Sequence, residues 1–185
     1  MLMNVNEAAL LVVDIQEKLV PALFNREVLP ARAEWLIGAA VDLGLPIVFT
    51  EQYPKGLGPT LPSLLAKAPQ APVAAKVAFS CVAGQCLPES VMGRSQFIVM
   101  GVETHVCVLQ TVFELLALGK RVFVVTDVTG SRREQDHAVA LKRMRDGGAV
   151  RVTREMVVFE MLRQAGTDLF KRISKGYLTD DLSPR

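Results

Sequence analysis

Three residues of this sequence stand where a side chain could do covalent chemistry. Asp14 closes the apolar run ALLVVD, Lys76 lies inside Val73-Ala-Ala-Lys-Val-Ala-Phe79, and Cys107 follows Gly101-Val-Glu-Thr-His-Val106. An acid, a cation and a thiol are the parts of an activated nucleophile: one accepts the proton, one stabilises charge, one attacks. Each also has a plain structural reading. Asp14 suits a cap for the short turn Ile15–Lys18. Lys76 suits an edge-strand lysine that snorkels to water. Cys107 suits a buried structural thiol, because free cysteine is among the most buried residue types.

For Cys107 the local sequence adds an argument. A strand ends and a helix begins there, with Thr104 placed to cap the helix. A thiol in a first helical turn meets the positive end of the dipole and unpaired N–H groups, and both favour the thiolate. A pKa moved from about 8.5 to about 6.5 corresponds to roughly 2.7 kcal/mol and makes the thiolate the majority form at neutral pH. A shift of that size would separate a nucleophile from an inert side chain; taken alone, Cys107 fits the buried structural thiol better.

The elements that must position these residues alternate. Ala8–Asp14, Pro46–Glu51, Gln96–Gly101 and Arg121–Asp127 are continuous apolar runs of buried parallel strands, and a weaker strand falls at Ala149–Thr153. Segments of helical length and period lie between them: Arg26–Leu43 before the Gly44 stop, Thr104–Leu118 before Gly119, Arg132–Asp146 before Gly147-Gly148, and a helical tail over Glu155–Lys175. Ser131 and Glu134 have capping-box spacing. The right-handed crossover rule turns this β-α-β-α order into a three-layer α/β/α open parallel sheet, Rossmann-like, with residues 1–185 as one domain. Ligands of such sheets bind beyond the carboxyl ends of the strands, where Asp14, Glu51 and Cys107 fall. Gln52–Ala74 holds five of the ten prolines and reads as a long loop, either a lid or pocket wall or a surface excursion.

Composition narrows the class. A formal net charge of +2, evenly spread, is too weak for a nucleic-acid binder. The basic stretch Lys142-Arg-Met-Arg145 is interrupted by acids and reads as a solvated helix face. No apolar run reaches the roughly 18 residues of a membrane span, and the start lacks a basic signal-peptide head. The three cysteines, Cys81, Cys86 and Cys107, form no CxxC pair, and reduced thiols in the cytoplasm are the simplest account. Cys81 and Cys86 are read as two inert thiols.

The chain resembles the isochorismatase-like hydrolases, the cysteine hydrolase superfamily, over essentially its whole length. The resemblance rests on LLVVDIQEKL around Asp14, AAKVAFS around Lys76 and GVETHVCVLQT around Cys107. TEQYPKGLGPT and GVETHVCVLQT look closest to the isochorismatase domain-containing branch. It implies Cys107 as nucleophile, Asp14 as base and Lys76 as the cation that holds the pair. It also implies a cis peptide between Val102 and Glu103, with the Glu103 and Cys107 amides as an oxyanion hole. The implied reaction is hydrolysis of a non-peptide C–N bond in a small amide through a thioester.

Gln16, Tyr53, Phe79, Val102 and His105 are candidate pocket residues. Phe79 fits the core equally well, and His105 fits a surface or interface position better than a substrate contact. Nicotinamidases of this superfamily hold a metal after the second strand. Here that place reads Thr50-Glu-Gln-Tyr-Pro54, and with His105 and His137 the only histidines, no catalytic metal and no cofactor are expected. The resemblance, together with the nearly all-round apolar run Val108–Leu118, implies a homo-oligomer. The rival reading is a catalytically idle small-molecule-binding or scaffold protein that keeps the fold.

Overall fold

The structure, a computed structural model, describes residues 2–178. Six strands and eight α-helices follow one another as β1 (Ala8–Val13), α1 (Leu29–Asp42), β2 (Ile47–Gln52), α2 (Pro54–Leu57), α3 (Pro62–Lys67), β3 (Val73–Lys76), α4 (Glu89–Met92), β4 (Gln96–Val102), α5 (Leu109–Ala117), β5 (Arg121–Gly130), α6 (Glu134–Asp146), β6 (Val150–Val152), α7 (Arg154–Leu162) and α8 (Asp168–Ile173). The strands form one sheet in the order β3-β2-β1-β4-β5-β6, every neighbouring pair parallel. This is the expected open three-layer α/β/α architecture.

The layers follow from strand parity. Successive side chains of a strand point to opposite faces. Leu10 and Val12 of β1 join Leu36 and Ile37 of α1 and Val157 and Val158 of α7 in one core. Leu11 and Val13 join Val112 and Leu115 of α5 and Ala140 and Met144 of α6 in the other. With both faces covered, all six residues of β1 are buried, which is why the run is continuously apolar.

The chain switches direction about β1, which lies between β2 and β4, so the crevice for a ligand opens where those strands end. β4 comes unusually close to β1 there. At Gly101, with φ of +127°, an added Cβ would lie 2.0 Å from the Val13 carbonyl oxygen, so only glycine fits.

Several local expectations are corrected. α1 begins at Leu29, beside Pro30, three residues later than its periodicity suggested. The Gln52–Ala74 segment is not a loop throughout, because two proline-started helices, α2 and α3, interrupt it. The helix after β4 opens as a π-helical turn, Thr104–Val108, and becomes α-helical only at Leu109. The capping box does not form. Arg133 is the cap residue of α6, without a side-chain bond, while Ser131 Oγ pairs with His105 Nδ1 at 3.0 Å. The tail is two helices, interrupted near Arg163 and Gly166, both at positive φ.

Candidate active site

Parallel register brings the polar strand ends together. Val13 is aligned with Thr50 and Gly101, and Gln52 with Lys76. Asp14 follows Val13 with φ of 52°, which turns its carboxylate back across the ends of the strands. Lys76 Nζ donates to Asp14 Oδ2 at 2.7 Å and to Gln52 Oε1 at 2.7 Å, while Thr50 Oγ1 donates to Asp14 Oδ1 at 2.7 Å. The Asp14 and Lys76 side chains are both 0% exposed. Neither local reading survives: the aspartate caps no turn, and the lysine does not snorkel. A buried charge must be paired, and each of these supplies the other's partner.

Cys107 lies against this pair, 5% exposed, its sulfur 4.0 Å from Gln52 Oε1. Burial, then the Asp14 charge, push its thiol up to about 12, with Lys76 opposing. The acidification that the helix start favours is thus reversed. Dipole and amides at a helix start favour a thiolate, but removal from water and an adjacent carboxylate cost more. Lys76 is affected in the opposite sense. Burial alone would weaken its hold on the proton, but Asp14 and Cys107 outweigh this and raise its pKa. At rest the site is an ion pair beside a protonated thiol.

The turn that carries Cys107 is fixed from two sides. The Val102–Glu103 peptide is cis. Glu103 accepts from Arg132 Nε at 2.8 Å and from the Arg132 amide at 3.2 Å. Thr104 does not cap the helix; its hydroxyl donates to the Gly130 carbonyl at 2.9 Å and meets His137 Nδ1 at 2.9 Å. With the hydroxyl proton committed to Gly130, the histidine ring must be the donor in that contact. His105 is partly buried against Ser131 and 3.6 Å from Glu103, a bracing contact in this structure.

The remaining candidates divide. Gln16 is a buried strut, accepting from the Gln52 amide at 2.8 Å and donating to the Gln52 and Gly58 carbonyls. Val102 is core. Tyr53 and Phe79 are about half exposed, so Phe79 is not core. The Tyr53 amide donates to the Lys76 carbonyl and Gln52 Nε2 to the Val77 carbonyl, so both aromatics border the segment that carries Lys76.

Sequence reading overlooked Thr50 and Gln52, which touch the carboxylate and the ammonium. The period of two was the available signal: both share a face of β2, and Glu51, the residue singled out, points away and accepts from the Thr60 amide. Cys81, read as inert, places its sulfur 3.7 Å from Thr50 Oγ1. Among the described residues no group of three or more His, Cys, Asp or Glu could hold a metal ion, and no helix is long and apolar enough to cross a membrane.

The isochorismatase domain matches residues 8–156. The mouse (Mus musculus) isochorismatase domain-containing protein 2A is 40% identical over 165 residues, 88% of this chain and 78% of its own. The chain belongs to the isochorismatase family. Two solved structures place it within the family's fold. The Mar1 ribonuclease of Caenorhabditis elegans is 35% identical with a TM-score of 0.90, over 100% of this chain and 98% of that one. YcaC from Pseudomonas aeruginosa, solved with hexane-2,5-diol and covalent acrylamide, is 29% identical with a TM-score of 0.85, over 97% and 93%. Asp14, Lys76 and Cys107 all fall within the residues that the isochorismatase domain matches.

Proposed function

We propose that this chain is a cysteine hydrolase that cleaves the C–N bond of a small amide through a thioester on Cys107. The observation that carries the reading is the fully buried Asp14–Lys76 pair at 2.7 Å against a thiol that burial and Asp14 together keep protonated. A carboxylate set between a cation and a neutral thiol is a base waiting for the event that makes proton transfer favourable.

That event is attack. As the Cys107 sulfur bonds to the carbonyl carbon, its proton passes to Asp14 and the carbonyl electron pair moves to oxygen, where the Glu103 and Cys107 amides hold the oxyanion. Asp14 returns the proton to the leaving nitrogen, the C–N bond breaks, and the thioester remains. Water then attacks as its proton goes to Asp14. Collapse releases the carboxylic acid and returns the proton to sulfur. Lys76 keeps the carboxylate oriented throughout, and no step needs a metal or cofactor. The covalent acrylamide with which P. aeruginosa YcaC was solved supports a nucleophilic side chain in a relative of this fold. The reading extends to one domain that works as a homo-oligomer in the cytoplasm, for which three free thiols and the half-exposed Leu118 at the end of α5 are the supports.

The test is acyl trapping. A panel of small primary amides and their ethyl esters is incubated with the protein, quenched in acid and mapped by mass spectrometry, with released ammonia assayed in parallel. The expected result is an acyl adduct on Cys107 alone, ammonia release, and loss of both in Cys107→Ser and Asp14→Asn. Turnover that persists in Cys107→Ser overturns the mechanism. A panel-wide blank alongside cleavage of RNA, the activity named for the C. elegans neighbour, overturns the substrate class.

A further inference from the structure

Outside the trio, a second pair of nucleophilic side chains among the described residues is brought together by a built turn. After β3 the chain folds back on itself: the Gly84 amide donates to Ser80 O at 3.0 Å, Gln85 to Val82 O at 2.9 Å, and Cys86 to Cys81 O at 3.3 Å. Gln85 takes a φ of 48° to close it. A bond from residue i+5 back to residue i closes the same span that a Cys81–Cys86 disulfide would close. The Cys86 thiol also lies 3.4 Å from the Cys81 carbonyl.

The turn is clamped to α5. Ser80 Oγ and the Ala83 amide both donate to Glu114 Oε2, at 2.6 and 2.9 Å, and the Cys81 amide donates to Thr111 Oγ1 at 3.0 Å. The two thiols differ in access: Cys81 is fully buried and Cys86 is partly open to solvent.

We propose that Cys81 and Cys86 form a peroxide-oxidised dithiol site, in which Cys86 is attacked first and Cys81 resolves it to a disulfide. The charge environment supports these roles. The Cys81 thiol, by hydrogen-bonding to Cys86, lowers the latter's pKa, and Lys76 adds to this, while the same bond and burial raise Cys81. A thiol with access to solvent, made more acidic than usual by a neighbour that holds its own proton, is the arrangement that peroxide oxidises. Cys86 gives its proton to solvent and its sulfur attacks one peroxide oxygen; the O–O bond breaks, sulfenic acid forms, and the departing hydroxide takes up a proton to become water. The Cys81 sulfur then displaces hydroxide, which leaves as water with the Cys81 proton. Two thiols are oxidised by two electrons and one hydrogen peroxide is reduced to two waters. Cys107, buried and protonated, is spared.

The test is a hydrogen peroxide dose series on the intact protein, with alkylation of free thiols and site-resolved mass spectrometry. The expected result is a linked Cys81–Cys86 peptide about 2 Da lighter than its reduced form, with Cys107 still free and consumed about tenfold or more slowly. Dithiothreitol should reverse the link, and Cys86→Ser should leave Cys81 reduced. Sulfinic acid on Cys86 without a link, a link through Cys107, or Cys107 oxidised first overturns the proposal. The linked mass does not depend on acylation at Cys107, so it stands or falls separately from the hydrolase reading.

Discussion

Removing one member of the Asp14–Lys76 pair strands the other as an uncompensated buried charge. Two unit charges 2.7 Å apart attract by about 6 kcal/mol at an effective dielectric of about 20. Much of that attraction is offset by the desolvation of both groups, so a neutral replacement of the pair loses little, whereas breaking it costs about 3–5 kcal/mol. Asp14→Asn and Lys76→Met should therefore each lower Tm by about 6–20 °C, at about 2–4 °C per kcal/mol for a chain of this size. The double variant should recover most of the loss, with a coupling of about 3 kcal/mol or more. Urea unfolding followed by the fluorescence of Trp35, the only tryptophan, measures this directly, since its indole donates to the Tyr177 carbonyl and reports on packing. A coupling below about 0.5 kcal/mol, the value of an exposed ion pair, would refute the reasoning.

Alkaline pH should weaken the wild type more than Cys107→Ser. A thiol pushed up to about 12 contributes stability fully present below its ordinary value of 9.0 and lost as pH climbs from there toward 12. The slope is at most about 1.4 kcal/mol per pH unit, so urea midpoints at pH 8 and 10.5 should separate the two proteins by about 1–2 kcal/mol. Thr50→Val removes the hydroxyl that donates to Asp14 Oδ1 at little change in volume, and should cost about 1.5–3 kcal/mol while Cys107 acylation falls roughly tenfold or more; an unchanged acylation rate would show that Thr50 is idle. Gly101→Ala places a methyl against the Val13 carbonyl at a φ of +127°, and should cost about 3 kcal/mol or more; a wild-type melting curve would mean that β4 can back away from β1 at little cost.

Five of the six strands were legible in the sequence, the clearest because burial on both faces leaves a continuous apolar run, and the ends of β1 and β2 moved by a single residue; β3, an edge strand with only Lys76 buried, was read partly as loop. The trio was named from its motifs, but its chemistry was not. Local reasoning placed Cys107 at a helix start, which favours the thiolate. Its thiol is instead pushed up by burial that no local pattern encodes, and then by Asp14, 93 positions away in sequence. The Ser131–Glu134 spacing failed likewise: a capping box is a local bond, and Ser131 found a better partner in His105, 26 residues distant. Lys76 was undecidable alone because an edge-strand lysine can point either way. Its register opposite Gln52 decides the matter, and register is a property of the paired strands.

The order of the strands carries a consequence for how the protein is made. Ala8 pairs with Gln96, an 88-residue separation, and β1 holds the centre of the sheet between β2 and β4. Asp14, Thr50, Lys76 and Cys107 therefore meet only after the crossovers through β4 have closed, and closing distant parallel strands is the slow part of folding. A nascent or refolding chain passes through species in which Cys107 is solvated and neither paired with nor screened by Asp14. Burial of that thiol thus marks completion: the time at which Cys107 falls silent to a small alkylating agent dates the moment the whole sheet is in place.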